Sequence, residues 1–243
     1  MEVKTLPQSL AGLVDLLNDN FKLSGRLTPL RAKELVLAAN VQEADMMEYA
    51  DFDHPIEDCY GRKMVYENEN FEVMVMSWNP GDYSSIHNHG YTQWGVVQVF
   101  GHTHHCIYRI KDNELCFTRK ELLPKKTAIK VNNALIHQMG NAGSDPYMTL
   151  HVYGCNNEIE NITADAKNYD LEYDRISHTT GGAFFNLPSD CIYDFEKGPQ
   201  PTQSVFLHYA SLLMDYYNRQ IPCDEVQARK EQLLTKLEKT MLA

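Results

Sequence analysis

The sequence predicts a mainly β chain, an antiparallel barrel or jelly roll with helices before and after it. Three observations carry that reading. Between residues 71 and 153, short strand-like runs follow one another with no helical stretch between them. Turn residues punctuate them, as in Asn79-Pro80-Gly81-Asp82, Lys111-Asp112-Asn113 and Asn141-Ala142-Gly143. Apolar residues recur at periods of three and four only before residue 50 and after residue 202.

Residues 7–20 place Leu10, Leu13, Val14, Leu16 and Leu17 at helical spacing. Residues 28–49 open with Thr28 as a candidate N-cap and Pro29 at the first helical position, so a second helix is expected there. The strand-like runs are Phe71–Trp78, Thr92–Phe100, His104–Ile110, Glu114–Arg119, Thr127–Val131, His137–Met139 and Thr149–Tyr153. Residues 155–202, with Gly181-Gly182, Pro188, Pro199 and Pro201, read as an irregular segment wrapping the barrel. Residues 203–219 are apolar on a broad face, so a buried helix is expected. Residues 222–241 form a charged amphipathic helix, either a solvated face on its own domain or a surface for homo-oligomers. The expected division is 1–50 for the N-terminal helices, 51–155 for the barrel, and 156–243 for the irregular segment and C-terminal helices.

Composition narrows the function. The chain has 243 residues and a net charge of −11, a balance that speaks against nucleic acid as a partner. No run approaches the ~18–20 apolar residues of a membrane helix, so no membrane partner is expected. The start, MEVKTLPQSLAGLVDLL, lacks the pattern of a secretory signal, and the six cysteines are scattered without a C-x-x-C pair. Mostly buried free thiols in the cytoplasm are expected. The unusual feature is ten histidines on an acidic chain.

His87 and His89 are two apart, and on a strand they project to the same side. Two imidazoles inside a barrel need a partner, and a metal is a direct one: iron, zinc, copper and nickel all take imidazole. Thr149, His151 and Tyr153 share a strand face by the same rule, so a hydroxyl, an imidazole and a phenol stand in line for a hydrogen-bond relay.

Gly81, His87, His89 and Gly101 follow the first signature of the cupin family, and His137 with Asn141 resembles the end of its second. The glutamate usual after the second histidine is absent, with Gln93 and Trp94 in its place, and Asn132 and Ala134 replace a proline and a glycine. The chain resembles the cysteine dioxygenase, or thiol dioxygenase, family over residues 28–155. The resemblance rests on Tyr60-Gly61-Arg62, the run Ser84-Ser85-Ile86-His87-Asn88-His89, the His137 and Asn141 pair, and the Thr149-His151-Tyr153 set. It implies a cupin-type jelly-roll barrel and an Fe(II) site at His87, His89 and His137. It implies a relay of Thr149, His151 and Tyr153, with threonine where the family has serine, and substrate binding by Arg62 and Tyr60. The implied reaction oxidises a small carboxylated thiol to its sulfinate with O2.

Trp94 or Gly95 stands where animal members carry a cysteine crosslinked to the tyrosine, so that crosslink is not expected. Gly154-Cys155-Asn156-Asn157 differs from the cysteine-specific branch, and Arg62 points toward it. Cysteine, 3-mercaptopropionate and a related thiol therefore all stand as substrates. The alternatives are another metal-dependent cupin enzyme and a non-enzymatic cupin that binds a small molecule. His102, His104 and His105 read as an exposed or core-satisfied cluster, with a second metal at His102 and His104 as the sharper alternative. His54, His178 and His208 have no assigned role.

Overall fold

A computed structural model describes residues 5–159 and 161–242. Helix α1 (Gln8–Ser24) buries Leu10, Leu13, Val14 and Leu17 along one stripe and stops at Gly25, whose left-handed φ of 66° lets its N–H return to the Phe21 carbonyl. Full burial of a leucine side chain contributes about 1.5–3 kcal/mol, so this stripe fixes the helix to the barrel. Helix α2 (Pro29–Ala39) is capped by Thr28, whose hydroxyl accepts from the Arg31 N–H. The helix expected through residue 49 breaks at Asn40, which takes the left-handed conformation at φ 48° and ends it. The chain resumes as α3 (Glu43–Met46) and a 3-10 turn at Met47–Tyr49. Asparagine adopts that conformation at little cost, so periodicity alone does not show the break.

The barrel strands are β1 (Gly61–Glu67), β2 (Phe71–Trp78), β3 (Trp94–Val99), β4 (Thr103–Lys111), β5 (Glu114–Leu123), β6 (Ala128–Val131), β7 (Ile136–Gly140) and β8 (Tyr147–Gly154). One sheet runs β1-β2-β8-β3-β6 and the facing one runs β5-β4-β7, all antiparallel. This is the expected cupin-type jelly roll.

Strands β2 and β8 are buried along their whole length because both faces are covered. Val73, Val75, Leu150 and Val152 pack with the N-terminal helices. Met74, Met76, Trp78 and Tyr153 belong to the core inside the barrel. The register pairs Met76 with Thr149, Met74 with His151 and Glu72 with Tyr153, so Thr149, His151 and Tyr153 all face the interior.

The segment expected to be irregular contains a three-stranded sheet: β9 (Ala166–Asp170), β10 (Arg175–Thr179) and β11 (Ile192–Lys197). These strands are short and mixed in polarity, and β11 is exposed over most of its length, so they leave little periodic signal. Strand β12 (Gln200–Pro201) then pairs in parallel with β5 and delivers α4 (Gln203–Arg219) to the barrel's outer face. Helix α4 buries Val205, Phe206, Tyr209, Leu213, Tyr216 and Tyr217. Helix α5 (Asp224–Leu242) is mostly exposed and is tied to the three-stranded sheet's loop by Lys236, whose Nζ meets Asp174 at 2.7 Å. Among the described residues, no helix is long and apolar enough to cross a membrane. All six cysteines are free; Cys59, Cys106 and Cys155 are buried, Cys116 and Cys191 half-buried, and Cys223 exposed.

Candidate metal centre and relay

His87 and His89 stand on an extended link between β2 and β3 that makes isolated bridges rather than a regular strand. The expected side-by-side placement is nevertheless there, with ring centroids 5.2 Å apart. The backbones of His87 and His137 exchange both N–H···O bonds, each at 2.9 Å, which brings the third imidazole from β7 against the first two. On its other side the link is held by β9 and its approach: Tyr169 N–H donates to the Ile86 carbonyl, and Asn88 N–H to that of Lys167. Gly90 is required by this contact. Its φ is 53°, and a Cβ there would stand 2.0 Å from the Ala164 carbonyl oxygen.

The three rings are oriented for ligation. His87 Nδ1–H donates to the Ser85 carbonyl at 3.0 Å, which leaves Nε2 with its lone pair. His137 Nδ1 meets His105 Nε2 at 2.9 Å, and His105 Nδ1 meets Glu121 Oε1 at 3.0 Å. The carboxylate only accepts, so His105 donates to Glu121 and accepts from His137, and His137 Nε2 is also free to ligate. The Nε2 atoms of His137 and His89 are 3.1 Å apart, the separation expected of two nitrogens at about 2.0–2.1 Å from one ion. Burial pushes the His87 pKa down to about 4 and those of His89 and His137 well below the usual value, so all three are neutral, the form that binds metal. The donor atoms of His87, His89 and His137 lie within 4.8 Å of one another. Gln93 and Trp94, at the position of the absent glutamate, point elsewhere: Gln93 Oε1 accepts from the Asn156 N–H, and Trp94 is buried with the N-terminal helices. The donor set is three neutral nitrogens, which fits a divalent first-row ion.

His105 was not singled out as a site residue by its sequence position. Its signal is the alternation of β4, which turns His104 and Cys106 outward and His105 in. Orienting groups of this kind change metal affinity by about 10–100-fold, so His105→Phe is expected to weaken metal retention by that factor and Glu121→Gln by less. Competitive chelator titration of the purified variants checks this; unchanged retention in His105→Phe would remove the orienting role.

The relay is complete. Trp78 Nε1–H, a donor only, donates to Thr149 Oγ1 at 2.9 Å. Thr149 Oγ1 in turn lies 2.6 Å from His151 Nε2, and His151 Nδ1 lies 2.7 Å from Tyr153 Oη. Burial, with the Tyr60 phenol nearby, raises the Tyr153 pKa well above the usual phenol, so it is protonated at neutral pH.

Burial, helped by the Arg62 charge, pushes His151 down to about 3. Its unfolded value is near 6.5, so unfolding takes up a proton between those limits and stability falls as pH drops through that window. Between pH 6.5 and 5 this one group removes about 2 kcal/mol. Chemical denaturation at both pH values is expected to show a loss smaller by about that amount in His151→Gln; equal losses would contradict the buried neutral state.

His87, His89, His137, His151 and Tyr153 line one cleft, together with Tyr60, Met76 and Met139 from the barrel and Thr163, Ala166, Gly181 and Ala183 from the segment after it. Residues 163–183 therefore form a wall of the cleft, a role their sequence did not reveal. The His89 and Tyr153 rings lie 5.2 Å apart, so the histidine group and the relay share the space. Tyr60 stacks on Trp78 at 4.6 Å, and burial pushes its phenol up to about 12. Arg62 is in register with Met76 and Thr149, but it does not line the cleft; its Nε donates to Met74 Sδ at 3.1 Å. Its charge acts on Tyr60, Tyr153 and the buried Glu72, whose carboxyl is raised by burial and partly restored by Arg62. Gly95 is the residue opposite Tyr153 in the sheet, and a Cβ there would meet Tyr153 Cδ1 at 3.1 Å, so no sulfur approaches the phenol from that position.

The family model for "Cysteine dioxygenase type I" matches residues 1–160. Cysteine dioxygenase type 1 of Homo sapiens is 24% identical over 153 residues, covering 60% of this chain and 74% of the relative. The Bos taurus protein of that name is 25% identical over 154 residues, with 60% and 74% covered. Among solved structures, an uncharacterised Klebsiella pneumoniae protein with a double-stranded β-helix domain is 18% identical, with 47% of this chain and 90% of that one covered and a TM-score of 0.36. A cupin 2 barrel protein from Salinispora arenicola is 11% identical, with 42% and 80% covered and a TM-score of 0.33.

Proposed function

The chain belongs to the cysteine dioxygenase type I family, and on that premise we propose that it is a thiol dioxygenase using Fe(II) held by His87, His89 and His137. Its substrate is a small carboxylated thiol of the cysteine or 3-mercaptopropionate type. The observation that carries the reading is the Trp78-Thr149-His151-Tyr153 chain ending beside the three-histidine group. A generic metal cupin has no need of a phenol held in this way. The iron, when bound, supplies a redox-active Lewis acid with positions open to exogenous ligands. The reaction balances without a co-substrate: R–SH plus O2 gives R–SO2H, with sulfur losing the four electrons that dioxygen gains.

The protein's own groups account for binding and proton control. With no protein carboxylate among the ligands, the site keeps the ion's full charge, which favours a thiolate. Tyr153, fixed through His151 and Thr149, presents a proton to the cleft and orients what lies there. Arg62, in register with Met76 and Thr149, is the candidate for the substrate carboxylate, its fork suited to two oxygens once its side chain leaves Met74 Sδ and swings into the cleft, with Tyr60 completing that end. Met76, Met139, Ala166 and Ala183 make the cleft small and apolar, which suits a compact thiol and limits water. Six free thiols and an Fe(II) site suit the reducing cytoplasm.

The test is oxygen uptake by Fe(II)-loaded protein against a panel of cysteine, 3-mercaptopropionate, cysteamine and a carbon-only carboxylate. Uptake with a carboxylated thiol and a sulfinate product is expected. No uptake with any thiol would overturn the reading.

A further inference from the structure

We propose that His104, Cys106 and His208 form a second metal site, one thiolate with two imidazoles and suited to zinc, that fastens helix α4 to the outer face of the barrel. It lies on the opposite face of β4 from His105 and is separate from the three-histidine group.

The geometry is that of a ligand set. His104 and Cys106 are two apart on β4 and turn outward together. His208 comes down from α4, on the second turn of that helix. Cys106 Sγ is 3.5 Å from His208 Nε2 and 4.0 Å from His104 Nε2, and all three donor atoms lie within 4.8 Å of one another. Donors around a tetrahedral zinc, at about 2.0–2.1 Å for nitrogen and 2.3 Å for sulfur, stand about 3.3–3.8 Å apart. One pair already has that spacing; the others close by side-chain rotation of two half-buried imidazoles.

The surroundings prepare the donors. His104 Nδ1 meets Tyr83 Oη at 3.3 Å, so the phenol oxygen can accept the Nδ1–H and leave Nε2, the atom facing the sulfur, as the ligand. Burial and the Lys120 charge keep His104 and His208 neutral, the latter pushed down to about 4. Burial pushes the Cys106 thiol up to about 11, so it is a protonated thiol until a metal displaces the proton to solvent. Phe117, whose ring centroid lies 5.6 Å from that of His208, closes one side. Lys120, whose Nζ sits 3.8 Å from the Phe117 centroid, is a charge that opposes a cation, and the thiolate offsets it. The fourth position is left to water. A thiolate with two imidazoles selects a borderline-soft ion over the hard oxygen-seeking ones. His208 stands 102 residues beyond Cys106, so such an ion would cross-link the C-terminal extension to the barrel.

Cobalt(II) titration of metal-free, reduced, full-length protein distinguishes this site from the first, because the three-histidine group contains no thiolate. The expected result is one equivalent of cobalt giving a sulfur-to-metal charge-transfer band and intense tetrahedral d–d bands, both displaced by zinc. The band is expected to persist in His87→Ala and to vanish in Cys106→Ser. In His208→Gln, zinc affinity at this site is expected to fall by more than about 100-fold, and zinc no longer raises the melting temperature. Circular dichroism confirms that each variant is folded; for any that is not, the wild-type charge-transfer band alone decides. Absence of the band in wild-type protein, or its survival in Cys106→Ser, would overturn the proposal.

Discussion

Replacing His87 by alanine is expected to empty the candidate iron centre and bring thiol-dependent oxygen uptake to background. Two imidazoles remain, His89 and His137, and no carboxylate among the described cleft residues replaces the third donor. The fold is expected to survive, because the link is held by backbone bonds from His87 to His137 and from Tyr169 and Asn88 to their partners. Iron content of anaerobically loaded protein, measured beside oxygen uptake, checks this. Stoichiometric iron in the variant would show that the ligands lie elsewhere. Cobalt bound with sulfur character is the separate signature of the Cys106 cluster and is not affected by this substitution.

Tyr153→Phe is expected to lower kcat by about 10²–10⁴-fold, the range for removal of a positioned acid–base group, while iron content stays at the wild-type level. The ring remains, so packing against the barrel core is kept. The loss is the phenol hydroxyl, whose oxygen lies 2.7 Å from His151 Nδ1. Leaving that buried nitrogen unpaired costs about 1–3 kcal/mol, so a modest fall in melting temperature accompanies the kinetic effect. Steady-state kinetics with iron quantified on the same samples separates the two roles. Loss of iron would make Tyr153 a support of the metal group rather than a participant in the reaction.

The parts of this fold that the sequence made legible are those where one rule acts alone. Strand β2 is predominantly apolar and buried throughout because both its faces are covered, and the run Phe71–Trp78 coincides with it. Helix α4 carries its buried residues at helical spacing and coincides with 203–219. The period-two rule put Thr149, His151 and Tyr153 in line, and the hydrogen bonds are there. Where two influences compete, the pattern failed. Strand β1 carries Arg62, Lys63 and Glu67 and lies at a sheet edge, so it does not read as apolar. His87 and His89 meet without a strand beneath them, since backbone bonds to β7 and β9 do the holding. The wall formed by Thr163, Ala166 and Ala183 has no local motif, because small residues identify a cleft only once the opposite side is in place. His105 and His208 act through partners distant in sequence, His137 and Cys106, and no spacing rule joins them.

Product analysis after turnover under ¹⁸O2, with Fe(II)-loaded protein and a carboxylated thiol, tests thiol dioxygenation directly. A sulfinate carrying both labelled oxygen atoms, formed in step with oxygen consumed, is expected. A disulfide, or a sulfinate whose oxygens come from water, would contradict it.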